Sequence, residues 1–185
     1  MSSLYRQQLE AYLKRIDVRA ESVLDVGAGS HPIMKRVNSW DVKEYKTLDN
    51  DAKFKPDYLK DLNYKIELDR KFDIVFCLEV SEYLFRPLVA IKNLYNFLKN
   101  DGILYISFCS IYPLHNPPKI DYLRYTKNAV EKLLKEAGFK DWEITPRIAS
   151  NGQKSLCSFY FQEQMRFMKG TDEIFDLGYM VRALK

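Results

Sequence analysis

No stretch of the 185-residue sequence is apolar over anything near the ~20 residues that a membrane-spanning helix needs. The N-terminal MSSLYRQQLEAYLKR lacks the apolar core of a signal peptide and carries Glu10, so neither secretion nor import is indicated. A soluble, cytoplasmic protein without a membrane partner is therefore expected. Charge of one sign is scarce too: the formal net charge is only +4 and the basic residues are scattered, which is weak ground for a nucleic-acid partner. Three cysteines cannot all pair, and Cys77 and Cys109 each lie in an apolar, strand-like run. They read as reduced, buried packing residues, and no metal site is expected. Internal repeats, low-complexity tracts and linkers are absent, so residues 1–185 are expected to form one domain, in which chemistry and ligand binding share the same space.

What is present is an alternation of helix and strand signals. Leu4, Tyr5, Leu9, Tyr12, Leu13 and Ile16 recur at helical spacing and predict an amphipathic helix over 3–16. Strands are expected at 22–26, 44–49, 72–78, 102–109, 142–148 and 177–185, and helices at 31–38, 88–99, 126–139 and 153–168. Thr126 is the expected N-cap of the third of these helices and Gly138 its terminator. Continuous apolar strands separated by helices indicate a parallel sheet covered on both faces.

The most informative stretch is VLDVGAGSHP, residues 23–32. A strand running into Gly27 and Gly29 lets a ligand lie against bare backbone at the carboxyl edge of such a sheet. About twenty residues on, at the end of the next strand, Asp49 stands where an acidic side chain holds ribose hydroxyls. The ligand is thus expected to be a nucleoside. Nicotinamide enzymes use a similar turn with a third glycine, which is missing from Gly27-Ala28-Gly29-Ser30-His31-Pro32.

Asp25, two residues before Gly27, completes a D-x-G-x-G pattern that resembles the first motif of the class I S-adenosylmethionine-dependent methyltransferases. The resemblance extends over nearly the whole chain. It implies that Gly27, Ala28 and Gly29 meet the methionine part of S-adenosylmethionine, that Asp25 helps hold its ammonium, and that Asp49, with Asn50 beside it, binds the ribose. DYLKDLN (57–63) is similar to the segment that touches adenine, through Asp61 and Leu62. FDIVFCLEVSEYLFRP (72–87) resembles the fourth motif, with Leu78 and Glu79 facing the methionine end. Two departures stand out: Pro32 replaces a small residue, and Tyr83 stands where many relatives have histidine in E-x-x-E-H-L. The implied fold is α/β, Rossmann-like and doubly wound, with a mainly parallel seven-stranded sheet, an antiparallel last strand and helices on both faces. The N-terminal segment 1–18 is implied to be a lid over the cleft.

YPLHNPPKIDYLRYT, residues 112–126, follows the fifth strand on the same sheet edge. It resembles P-x-H-x-x-P-x-D-Y-x-R-[FY]-T, found in small methyltransferases associated with sugar and glycan modification, although the loop is a residue or so longer here. A hydroxyl acceptor needs its proton removed, which makes His115 a candidate base; it can equally be a histidine that hydrogen-bonds Asp121 or a loop carbonyl. Arg124 either clamps an anionic acceptor or ties the loop to a helix end. Tyr83 lines the acceptor pocket or packs. The implied activity is methyl transfer from S-adenosylmethionine, with S-adenosylhomocysteine as product, to a small polar acceptor such as a sugar hydroxyl. A nucleic-acid methyltransferase and a non-catalytic cofactor-binding module are the alternatives.

Overall fold

The computed structural model describes residues 3–115, 118–151 and 176–185. Helix α1 (Leu4–Leu13) starts at Ser3, whose side chain accepts from the Arg6 amide, and buries Tyr5, Leu9 and Leu13. Seven strands follow: β1 (Asp17–Val26), β2 (Ser39–Asp49), β3 (Tyr58–Leu59), β4 (Phe72–Cys77), β5 (Leu98–Cys109), β6 (Asp141–Ile148) and β7 (Asp176–Leu184). They form one sheet in the order β3-β2-β1-β4-β5-β7-β6. Pairing is parallel except that β7 runs antiparallel to both β5 and β6. Helices α2 (Pro87–Phe97) and α3 (Lys127–Ala137) complete the regular elements among the described residues.

Strict alternation along the central strands explains why their runs read as continuously apolar. Val23, Ile74, Phe76 and Tyr105 point to one face and pack with Leu9 and Leu13 of α1. Leu24, Val75, Cys77, Leu104 and Ile106 point to the other, against Ala90, Ile91 and Leu94 of α2 and Val130 and Leu134 of α3. Both faces are buried, as a parallel sheet between helices requires. The expected caps of α3 are in place: the Thr126 hydroxyl accepts from the Ala129 amide, and Gly138 ends the helix at φ 109°. Cys77 and Cys109 are buried and free. No helix among the described residues is long and apolar enough to cross a membrane.

Several boundaries differ from expectation, and one element is corrected in kind. The segment 31–38 is not an α-helix but a single 3₁₀ turn, Ile33–Lys35. Two neighbours decide this: the Asp25 carboxylate takes the Ile33 amide, and the Asn38 amide donates to Ile16. Strands β1 and β2 also pair back to Asp17 and Ser39, leaving only residues 27–38 for the crossing. Those early halves carry a weak strand signal because DVRAE and SWDVK mix charge with the buried Val18 and the half-buried Ala20, Trp40 and Val42. The strand β3 is too short for any periodicity to show. Helix α2 stops at Phe97, from which Leu98 passes directly into β5. The helix expected at 153–168 lies outside the described residues.

Candidate active site

The carboxyl ends of β1, β2, β4 and β5 share one edge, and the glycine turn sits on it. Gly27 and Gly29 adopt φ of 71° and 50°. A Cβ on Gly27 would collide with Val80 Cγ2, so backbone and the segment after β4 touch here as only glycine allows. Asp25 lies beneath the turn, where its Oδ2 accepts from the Ile33 amide at 2.8 Å and from the Tyr45 hydroxyl at 2.7 Å. Burial raises its pKa, against the pull of those two donors and of Arg36. Asp49 accepts from the Asp51 amide at 3.0 Å and, weakly, from the Gly29 amide at 3.4 Å.

Two clefts adjoin at this turn. The first, of about 240 Å³, is bordered by Gly27, Gly29, Asp49, Asn50, Asp61, Leu62, Glu79 and Tyr83 among the expected residues. The second, of about 220 Å³, is bordered by Asp25, Gly27, Ala28, Gly29, Leu78 and Glu79. Every residue expected at the cofactor thus meets one cleft or both. Sequence reasoning missed Phe54, which borders both clefts, and Arg6 and Arg36, which border the second. The only legible signal was for Arg6, which stands beside Tyr5 on the helix implied to cover the cleft. Glu10 holds both guanidiniums, that of Arg6 at 2.6 Å and that of Arg36 at 2.9 Å. The second cleft therefore offers cations for a carboxylate and the acids Asp25 and Glu79 for an ammonium. The first offers the carboxylate acceptors Asp49 and Asp61 beside the apolar Leu62, a set suited to ribose hydroxyls and a purine.

On the acceptor side, Glu79 sits in left-handed backbone at φ 58°. Its amide donates to Ser107 Oγ at 2.7 Å, and its Oε1 accepts from that hydroxyl at 2.9 Å and from Arg147 Nη2 at 2.7 Å. Glu82 follows on a 3₁₀ turn, Ser81–Tyr83, and is buried; burial first, and the charge of Glu79 second, raise its pKa. The loop 112–126 is pinned to this turn where the Tyr122 and Leu123 amides donate to the Glu82 carbonyl at 2.8 and 3.2 Å. His115 donates its own amide to Asp121 Oδ2 at 2.6 Å, and its Nδ1 lies 3.0 Å from the same oxygen. Its Nε2 faces Glu82 Oε1 at 3.7 Å, and the ring stands between Tyr112 and Tyr83, with centroids 5.0 and 5.7 Å away. Tyr83 and His115 are therefore brought together. Arg124 is not turned to the clefts: it donates to both Asp121 oxygens, at 2.6 and 2.8 Å, and to the carbonyls of Tyr112, Pro113 and Leu123.

Residues 24–106 match the family model of the methyltransferase domain. No curated protein matches the chain in sequence. Among solved structures, a possible exported protein from Bordetella parapertussis is 14% identical with a TM-score of 0.65, the match covering 97% of this chain and 66% of that one. A SAM-dependent methyltransferase from Archaeoglobus fulgidus is 17% identical with a TM-score of 0.61, over 97% of this chain and 94% of that one. The N-methyltransferase NodS from Bradyrhizobium japonicum, in complex with S-adenosyl-L-homocysteine, is 13% identical with a TM-score of 0.63, over 98% and 87%. This chain spans just under two thirds of the Bordetella protein and most of the other two. At such identities the likeness is one of fold, and that fold is class I S-adenosylmethionine-dependent methyltransferase. Residues 24–106, over which the family model matches, hold the glycine turn, Asp49, Asp61 and the Glu79–Tyr83 segment that border the two clefts.

Helix α1 is fastened to two neighbours by polar side chains near its middle. Gln8 exchanges two hydrogen bonds with the Ile148 backbone, at 2.8 and 2.7 Å, and Glu10 reaches Arg36. Because Arg6 borders the second cleft, ligand bound there is expected to slow amide exchange across residues 3–16. Hydrogen exchange with and without S-adenosylhomocysteine checks this; equal rates would make α1 an ordinary packing helix.

Proposed function

We propose that the chain methylates a small polar acceptor, a hydroxyl of a sugar-type or related metabolite, held between the Glu79–Tyr83 segment and the loop 112–126. The observation that carries this reading is the His115–Asp121 contact. A carboxylate against Nδ1 keeps the proton on that nitrogen and leaves the Nε2 lone pair toward Glu82 and Tyr83. An imidazole oriented in this way takes a hydroxyl proton as the oxygen attacks. S-adenosylmethionine, bound in the two clefts, would supply a methyl group on a cationic sulfur. The backbone of Gly27, Ala28 and Gly29 and the side chains of Asp25, Leu78 and Glu79 hold its methionine end; Asp49 and Asn50 hold the ribose; Asp61 and Leu62 hold the adenine. Tyr83 borders the acceptor, and Arg124 positions His115 through Asp121. Much of the acceleration comes from this alignment of acceptor and methyl group.

The scattered charge of the chain supports a small-molecule acceptor over a nucleic acid, and the free Cys77 and Cys109 fit a cytoplasmic location. Calorimetry should show S-adenosylhomocysteine binding with little affinity for NAD; the reverse order overturns the cleft assignment. Asp49→Ala should weaken that binding by about 1–3 kcal/mol, since ribose hydroxyls lose their acceptor, and unchanged affinity would remove Asp49 from the site. Release of S-adenosylhomocysteine over a panel of sugars and small amines then identifies the acceptor. Amines belong in the panel because the similarly folded NodS is an N-methyltransferase; turnover of amines alone would overturn the hydroxyl reading.

A further inference from the structure

We infer that the ion pair between the partly exposed Glu79 and the buried Arg147 sets how tightly the protein holds its cationic cofactor relative to the neutral thioether product. The inference rests on the assignment of the two clefts to the cofactor. Among the acidic residues that border the clefts, Glu79 alone borders both. The sulfur of S-adenosylmethionine joins its adenosine half to its methionine half, so the place where the clefts meet is the place of the sulfonium charge. Glu79 is held there at a cost, since φ 58° is unusual for a residue with a Cβ. The Ser107 hydroxyl, accepting from its amide and donating to its carboxylate, fixes the side chain in that conformation.

Arg147 has no comparable reason in packing. It reaches in from the edge strand β6 and is 0% exposed, with its guanidinium 3.9 Å from the centroid of the Tyr5 ring and its Nε against Met180 Sδ at 2.9 Å. Nη2 bonds Glu79 Oε1, and Nη1 has no hydrogen-bond partner among the described residues. A fully buried guanidinium with an unsatisfied nitrogen is costly, and an aliphatic side chain would fill the same space without that cost. What Arg147 supplies is a positive charge opposing that of Glu79. An uncompensated carboxylate at the sulfur would stabilise the charge that methyl transfer removes, favouring the ground state over the transition state. Paired with Arg147, the same carboxylate can position the cofactor without that penalty.

Calorimetric dissociation constants for S-adenosylmethionine and S-adenosylhomocysteine test the inference without any acceptor. Arg147→Met leaves the Glu79 charge uncompensated and is expected to shift the ratio of the two constants roughly tenfold toward the cationic ligand. Glu79→Gln leaves the cation uncompensated and is expected to shift it by a similar factor toward the neutral one. Opposite signs from the two halves of one pair are the signature, because general damage to the cleft weakens both ligands alike. A ratio within about twofold of wild type in Glu79→Gln, or shifts of the same sign in both variants, overturns the inference. If Arg147→Met does not fold, Glu79→Gln decides alone. Binding of neither ligand by the wild-type protein overturns the cleft assignment and this inference with it, whereas tight binding with an unmoved ratio overturns this inference only.

Discussion

Asp121→Ala is expected to lower the unfolding free energy by about 3 kcal/mol near neutral pH, a large share of the stability of an ordinary domain. Asp121 is buried in a loop that has little regular structure, and it is the common partner of His115 and Arg124. It accepts from the His115 amide and faces the His115 ring, while Arg124 grips both of its oxygens. Removing the carboxylate leaves a guanidinium without its counter-charge and the His115 amide and ring without their shared partner. The dependence on pH has a definite sign. Hydrogen bonds from Arg124, then those from His115, outweigh burial and hold the Asp121 carboxyl well below the usual carboxylate range. A folded-state value depressed in this way gives stability that is fully present above the unfolded value of about 3.9 and is lost as the pH falls toward the folded one. Melting wild type and variant side by side from pH 7 to pH 3 should show a gap that is constant down to about pH 5 and narrows below pH 4. A gap that persists unchanged at pH 3 would mean that the carboxylate charge is not what holds the loop.

The expectations that held were those in which a local pattern and the tertiary fold demand the same residues. Leu24, Val26, Val75 and Ile106 are buried whichever neighbour covers them, so their strands announce themselves. The glycine turn is legible because Gly27 is fixed twice, by its positive φ and by Val80 against its α-carbon. Where partners distant in sequence decide, the pattern is silent or misleading. The stretch from Ile33 to Val37 has enough helical character to read as a helix, yet Asp25 and Ile16 claim the amides at its two ends. Arg147 looks like one more surface charge on an edge strand, and only the folded chain shows it enclosed between Tyr5, Met180 and Glu79. The same holds for Arg36, which reaches the second cleft because the crossing from β1 to β2 is too short to be a helix.

The loop 112–126 joins these two levels of legibility. Its motif placed His115, Arg124 and Tyr125 on the correct sheet edge, but residue types alone left open which side chain faces acceptor and which faces protein. The structure divides them by hydrogen bonding. Tyr125 is a strut, its hydroxyl donating to the Ser81 carbonyl at 2.8 Å and its amide to the Cys109 carbonyl at 2.7 Å. Arg124 is a staple across the loop. Of these three residues, His115 alone keeps a side-chain nitrogen with no hydrogen-bond partner among the described residues, since Nε2 stands 3.7 Å from Glu82 Oε1, beyond hydrogen-bond reach.

That nitrogen makes His115→Ala the most consequential substitution for turnover. If the acceptor is a hydroxyl, its oxygen is a poor nucleophile until a base takes the proton, and a positioned imidazole contributes roughly a hundredfold or more. Once an acceptor is known, His115→Ala should therefore lower kcat at least about a hundredfold, while the affinity for S-adenosylhomocysteine stays unchanged because His115 borders neither cleft. Asp121→Asn provides the companion measurement. The amide preserves the shape of the loop but can present an N–H to Nδ1, which would move the proton to Nε2 and silence the base. Both variants should then lose turnover with the cofactor still bound, whereas Arg124→Ala, which loosens the loop without touching the tautomer, should lose less in kcat and more in stability. Normal turnover in His115→Ala would assign the proton to another group at the same place. Glu82 is the nearest such group, because burial raises the pKa of its carboxyl and its Oε1 faces the space that the imidazole would vacate.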